Sequence, residues 1–441
     1  MTVAQQARLA DGRYLRVNVA EWLTCLALTA LALNAFFGTL AALIFLIAGG
    51  LLILSNIPGS VRAIWRQPLV LILPAYCLLS TFWSQFPDMT LRYSVQLAIT
   101  IGIAIVIADR VSPRLMVRVL FVTYWIGVVL SLLIGNHSAG DPWRGIFGSK
   151  NAFGAHLAVF ALICLAVLSD RKAGRGTRLV ALFGLLISGP LLIKAESTGA
   201  LVSIFPCIAV MLLVMASRRL TGRQKLFAGV LGALIVAAVA LFVIANHDAI
   251  LAAALSDTGK DPTLTGRTDL WAIGREFIAE RPWLGVGYHG FWISGYAPAE
   301  QIWAMFGEPS GAGFNFHDLY ISNAVELGLV GIAIEVAMIY GGLVLIGALA
   351  IVRPTPANAL LLGLQVLLVL RSFIEVEVFF EFSIRTILAV CTLIYAMRGM
   401  AAWRRERRTE AARRQFARRA RTRYARDNWV ENDLGALDAG N

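Results

Sequence analysis

The sequence predicts an all-α polytopic membrane protein of about twelve transmembrane helices, and three observations carry that prediction. Hydrophobic residues fill 58% of the 441 positions and charged ones only 15%, with mean hydropathy +0.71. A soluble domain has no interior large enough to hide that much apolar surface. The apolar residues also come in runs near the ~20 residues a helix needs to cross a bilayer. Finally, arginines and lysines recur in every second connector, the pattern of connectors that face the cytoplasm.

The runs in order are 20–36, 39–56, 68–84, 93–109, 115–135, 152–169, 178–194, 199–216, 226–245, 328–351, 357–378 and 384–399. Residues 1–19, with Arg8, Arg13 and Arg16, read as a cytoplasmic N-terminus. Basic groups then follow at Arg62 and Arg66, at Arg110 and Arg114, at Arg171 to Arg178, at Arg218 to Lys225, and at Arg353. Residues 20–400 form the transmembrane domain, and 401–441 a basic cytoplasmic tail whose end, from about 427, reads as disordered. Both termini are therefore cytoplasmic. The net charge of +12 is mostly this topology signal plus the tail. The nearest partner for the tail is the anionic surface of the bilayer, and no nucleic acid is expected. The first apolar run follows polar residues with no small-residue cleavage site after it, so no cleavable signal is expected.

All five cysteines (Cys25, Cys77, Cys164, Cys207 and Cys391) fall inside apolar runs and read as small buried residues. None has metal or disulfide spacing. On a helix, Glu375 and Glu377 point to different sides. Neither a metal nor any other cofactor is expected.

The polar residues gather on the outer side. Its connectors are 37–38, 85–92, 136–151, 195–198, 246–327 and 379–383, and one, of about 80 residues, far exceeds ordinary loop length. Within it, TGRTDLWAIGREFIAERPWLGVGYHGFW (Thr265–Trp292) argues for order. Thr265 or Asp269 caps a predicted helix that runs to about Ala279, with Leu270, Trp271, Ile273, Phe277 and Ile278 as its apolar stripe. Arg281-Pro282 ends it, since proline disfavours helix in the residue before it. The glycines that follow bring Tyr288, His289, Phe291 and Trp292 toward the membrane interface. Arg267 stands at the foot of this helix.

Other connectors add Arg92, Arg144, Lys150, Asn151, Lys194 and Glu196 to the same side. The eleventh run ends LVLRSFIEVEVFFEF (Leu368–Phe382), where Arg371 and Glu375 stand four apart on one predicted helical face. Ionisable groups at membrane depth are costly and are functional candidates. His317-Asp318 opens a long predicted helix toward Val352, about 50 Å at 1.5 Å per residue against a 30 Å core. It must start above the bilayer, kink or tilt, with Gly328 and Gly331 as adjustment points. A helix N-terminus attracts anions. Tyr320 and Asn323 extend its polar face at helical spacing.

The motifs SxxWSxxP…LR (Ser80–Arg92), GxxGxKNxxG (Gly145–Gly154), TGRxxLW (Thr265–Trp271), RPWLGVGxxxF (Arg281–Phe291) and HDxYxxxxxExGLxG (His317–Gly331) resemble the O-antigen ligase and polysaccharide polymerase superfamily over about residues 75–395. The KN pair and the ST turn resemble its exopolysaccharide polymerases of the succinoglycan-production type. The resemblance implies a GT-C-like, inverting, metal-independent glycosyltransferase of the bacterial inner membrane, with its site and one large ordered loop facing the periplasm. Donor and acceptor would be oligosaccharides on undecaprenyl pyrophosphate for a polymerase, or lipid A core would be the acceptor for a ligase. A flippase and a chain-length regulator are the implied partners.

The resemblance places pyrophosphate contacts on Arg267 and His317. The chemistry fits, because the departing pyrophosphate needs cationic stabilisation and the arginine fork binds phosphate oxygens in pairs. Glu196 joins them as a catalytic candidate. Arg92, Arg144, Lys150, Asn151, Lys194, Arg281, Tyr288, Tyr320, Asn323, Arg371 and Glu375 are candidate substrate contacts. The general base is open among His317, Glu196, Glu375 and Glu377. Ligases of the superfamily carry an arginine in the turn that here reads EST (Glu196–Thr198), and its absence favours a polymerase. A small-anion transporter is the alternative from another class. It is disfavoured because transporter sites lie near the midplane between repeated halves, and no repeat is visible.

Overall fold

A computed structural model describes residues 4–8, 14–137, 141–225, 227, 229, 266–308, 310–311 and 313–438, with side chains between 19 and 416. Two short antiparallel strands, β1 (Ala4–Arg8) and β2 (Tyr14–Asn18), come first. They are a departure from the all-α expectation, confined to the N-terminal stretch. Then follow α1 (Val19–Ala32), α2 (Asn34–Phe37), α3 (Thr39–Leu54), α4 (Ile57–Trp65) and α5 (Pro68–Leu79). The next helices are α6 (Pro87–Arg110), α7 (Pro113–Ile134), α8 (Lys150–Ser169), α9 (Arg175–Ala195) and α10 (Thr198–Ala216). The last are α11 (Arg267–Glu280), α12 (Ala297–Met305), α13 (Leu319–Val352), α14 (Pro356–Arg371) and α15 (Ile384–Asp438).

Seven of these helices, α6 to α10, α13 and α15, are long and apolar enough to cross a membrane, so the chain is a multi-pass membrane protein. An eighth span results if α3 and α4, bent by 101° at their junction, count as one. α1, α5 and α14 are apolar but shorter. Of the twelve expected spans, the one at 226–245 lies outside the described residues except for 227 and 229. Two compact units divide the chain, residues 1–395 and 396–441. In the second, helix continues to Asp438, past the position where the sequence reading ended order.

α8 is the most enclosed span, with 72% of its apolar window buried, and it packs against α7, α9, α10 and α14. Small residues let neighbours come close. A Cβ on Gly154 would sit 2.6 Å from Cβ of Ser197, the residue that opens α10. All five cysteines are free thiols, and all but Cys25 are buried.

α13 is broken where its length demanded. Gly328, at φ 65°, interrupts the helical backbone, while Gly331 stays helical. The freed amides of Leu329 and Val330 donate to the carbonyls of Pro282 and Trp283, at 2.8 and 3.3 Å. In return, the amides of Val286 and Gly287 donate to Val325 and Glu326, at 3.0 and 2.8 Å. The RPWLGVG strip therefore lies along the broken helix and satisfies the backbone groups that a break leaves open. Only glycine fits: a Cβ on Gly328 would meet the Trp283 carbonyl at 2.3 Å, and one on Gly285 the Glu326 carbonyl at 2.5 Å.

Candidate functional site

The N-terminal end of α11 and the start of α13 are held against each other by sequence-local features. Gly274 on α11 leaves room for Ile321 and Phe316, whose atoms would lie 2.5 and 3.1 Å from a Cβ there. Trp271 Nε1 donates to the Phe316 carbonyl at 2.8 Å. α11 begins at Gly266, a left-handed residue with no side-chain cap. Asp269 lies inside the first turn, so the cap expected of it is not formed, and Thr265 lies outside the described residues. At α13 the cap is Asp318, whose carboxylate accepts the Ile321 amide at 2.8 Å. His317 precedes it in a left-handed conformation, φ 49°.

The third wall is the connector from Ser372 to Ser383. α14 stops at Arg371, and the Leu319 amide donates to the Ser372 carbonyl at 2.9 Å, which ties α13 to this connector. Glu375 then reaches both Arg267 and His317. Arg267 Nη2 lies 3.5 Å from Glu375 Oε1, and Nη1 donates to the Ile374 carbonyl at 3.0 Å. His317 Nδ1 lies 3.3 Å from Glu375 Oε2. A guanidinium and an imidazole from the two ends of the described part of the long loop thus meet on one carboxylate. Burial opposes ionisation of Glu375. The hydrogen bond with His317 and the charges of His317, Arg267 and Arg371 outweigh it and hold the carboxyl below its ordinary range.

The expected pairing of Arg371 with Glu375 is not formed. Because the helix ends at Arg371, Glu375 is not on its face. Arg371 instead bonds Glu377, Nε to Oε1 at 2.6 Å, with both side chains buried. Arg385 Nε lies 3.4 Å from the other oxygen of Glu377.

The turn around Glu196 borders the same connector, with Ile374 Cδ1 lying 3.2 Å from a Cβ on Gly199. Glu196 is exposed and closes α9 in a left-handed conformation, φ 50°. Ser197 Oγ donates to Asn151 Oδ1 at 3.2 Å, and the Trp143 amide donates to the Lys194 carbonyl at 2.9 Å. Asn151 and Lys194 are therefore held at the ends of α8 and α9 beside the site, with Lys150 adjoining Asn151 and Arg144 adjoining Trp143 in the chain. Arg281 is exposed at the far end of α11, and Arg92 lies over the Tyr93 ring.

Three candidates turn inward. Tyr288 is buried and donates to the Phe379 carbonyl at 2.9 Å. Tyr320 bonds Tyr340 and Ser372. Asn323 donates to Glu335 at 2.7 Å. Their polar atoms are consumed in holding the frame. Among the described residues, no group of three or more His, Cys, Asp or Glu side chains is placed to hold a metal.

Sequence reasoning placed His289 only near the interface. Its ring stacks on Tyr93 at 4.4 Å, and Nε2 lies 3.3 Å from Glu381 Oε2 at the far end of the same connector. Five non-glycine residues with positive φ occur among the described residues: Glu196, His289, His317, Phe379 and Phe382. All border this site, where strain concentrates in functional regions. Burial opposes charge on His289. Contact with Glu381 and the charges of Glu326 and Glu381 prevail, so its imidazole titrates above the ordinary value. Such a group stabilises the fold below its unfolded pKa, about 6.5, and that contribution is lost as pH rises through the folded value. The melting temperature of the purified protein should therefore fall as pH is raised above about 6.5, and His289→Gln should flatten that part of the profile. An unchanged slope in the variant would refute the assignment.

A family described as O-Antigen ligase matches residues 181–336, from within α9 into α13, and so takes in Arg267 and His317. Over 334 residues the chain is 31% identical to the exopolysaccharide production protein ExoQ of Rhizobium meliloti (strain 1021), covering 72% of this chain and 74% of that one.

Proposed function

The chain belongs to the O-antigen ligase-like family of membrane enzymes of exopolysaccharide and O-antigen biosynthesis, and from that premise we propose that it polymerises lipid-linked oligosaccharide repeat units. The donor in this reading is a glycan on undecaprenyl pyrophosphate at the periplasmic face of the inner membrane. The observation that carries it is the meeting of Arg267 and His317 on Glu375. Arg267 receives the departing pyrophosphate, whose growing charge a fixed guanidinium stabilises. Glu375 is a poor base because the hydrogen bond with His317 and the charges of Arg267 and Arg371 favour its ionised form. It accepts from Nδ1–H of the neutral His317 ring, which orients the ring and leaves Nε2 to take the proton of the acceptor hydroxyl. This is the division of labour seen wherever a carboxylate fixes a catalytic imidazole. Displacement by that hydroxyl on the face opposite the pyrophosphate inverts the anomeric centre. No step needs a metal.

The name of the relative, an exopolysaccharide production protein, supports polymerisation, as does the EST turn without arginine. The test is the lipid-linked glycan left in cells carrying Arg267→Ala or His317→Ala at normal membrane levels. Single repeat units without polymer are expected. Full-length polymer in both strains would sink the reading, and long unattached polymer would replace it with a ligase.

A further inference from the structure

Two guanidiniums share Glu377, and one of them is not neutralised. Arg371 and Glu377 are 4% and 8% exposed and take up each other's charge at 2.6 Å. Arg385 is 40% exposed, and its Nε lies 3.4 Å from the carboxylate. Among the described residues, its Nη groups make no hydrogen bond. An uncompensated cation beside apolar helices is costly and calls for a counter-charge.

Below these charges runs a narrow crevice between α8, α14 and α15. Arg371, Glu377 and Arg385 line part of it, Val159, Leu364, Leu368 and Ala389 are among the apolar residues of the rest, and Tyr124, Gln365 and Thr392 also border it. Leu364 stands seven residues before Arg371 on α14, so the apolar part reaches about 10 Å deeper at 1.5 Å per residue. Arg385 also sits in the first turn of α15, where the positive end of the helix dipole favours an anion. The crevice therefore combines a charged cluster with a mainly apolar wall.

We propose that it is a second site, for a lipid with a phosphate-bearing head. The head sits on the open fork of Arg385 and the chain lies along α8 and α14. This site is separate from the pair on Glu375 and does not depend on the polymerase reading.

Native mass spectrometry of the full-length protein in detergent, with farnesyl pyrophosphate as probe, tests it. Wild type is expected to bind two molecules, Arg267→Ala one, and Arg385→Gln one. Loss of a charge-assisted phosphate contact weakens the remaining affinity about tenfold or more. Arg385→Gln is chosen because Arg371→Gln would strand a buried carboxylate. Leu368→Trp, which fills the apolar part, should remove the same molecule while inorganic pyrophosphate still binds Arg385. Two molecules on both Arg385→Gln and Leu368→Trp would overturn the crevice site and leave the donor reading intact. Two on Arg267→Ala with one on Arg385→Gln would support the crevice and remove the donor reading. Displacement by dioleoylphosphatidylglycerol assigns the site to bulk phospholipid, and resistance assigns it to a prenyl carrier; both support a phosphate-lipid site.

Discussion

Arg267→Ala should lower the rate of glycan transfer by about 10²–10³-fold, corresponding to about 3–4 kcal/mol of lost transition-state stabilisation. Folding should be nearly unaffected. The side chain is 24% exposed, and at 3.5 Å a partly exposed ion pair is worth about 1 kcal/mol. The loss should therefore appear in kcat with the melting temperature unchanged. Arg267→Lys should recover little. The guanidinium uses one nitrogen on the Ile374 carbonyl and another on Glu375, and in the proposed reaction the rest of its fork would meet the substrate. An ammonium cannot hold those positions together. His317→Asn separates the two roles of the neighbouring ring, since its amide keeps a donor near Nδ1 but offers nothing at Nε2. It should be as inactive as His317→Ala. Wild-type rates from His317→Asn would show that the ring only anchors Glu375.

The parts of this arrangement that were legible in the sequence are those set by short-range physics. Apolar runs marked the helices. His317-Asp318 before an apolar segment marked the cap of α13, and a helix too long for a bilayer made a break near Gly328 necessary. Arg267 at the foot of α11 and His317 at the head of α13 were named from motifs, and Glu375 was named as a substrate contact, a candidate base and a partner of Arg371, not as the carboxylate those two share. The main error concerned where α14 ends. Leu368–Phe382 looks like one apolar run, yet α14 stops at Arg371, and the amides of Ile374 and Glu375 turn back onto the Arg371 carbonyl at 3.0 and 2.9 Å. Glu375 and Glu377 therefore leave the helix and reach different partners. His289 with Glu381 was beyond reach, because residues far apart in the chain meet only through the RPWLGVG strip folded along α13.

Glu377→Ala should be the most destabilising single change near the site, at about 3–5 kcal/mol, because it leaves Arg371 buried and unpaired. The expected readout is loss of protein from the membrane and a lower melting temperature in detergent. Transfer activity would fall with it, since the connector that carries Glu377 also carries Glu375. Replacing both partners, Arg371→Met with Glu377→Met, should restore most of the stability, because a buried ion pair often costs as much in desolvation as it returns. Arg267→Ala and Glu377→Ala then stop the same reaction for different reasons. The first is a stable protein that binds its donor poorly in the transition state, and the second is a chain that does not hold the connector in place. A Glu377→Ala protein with wild-type abundance and melting temperature would mean that the buried pair is not what fixes the connector. The position of Glu375 would then rest on the contacts with Arg267, His317 and Ser372 alone.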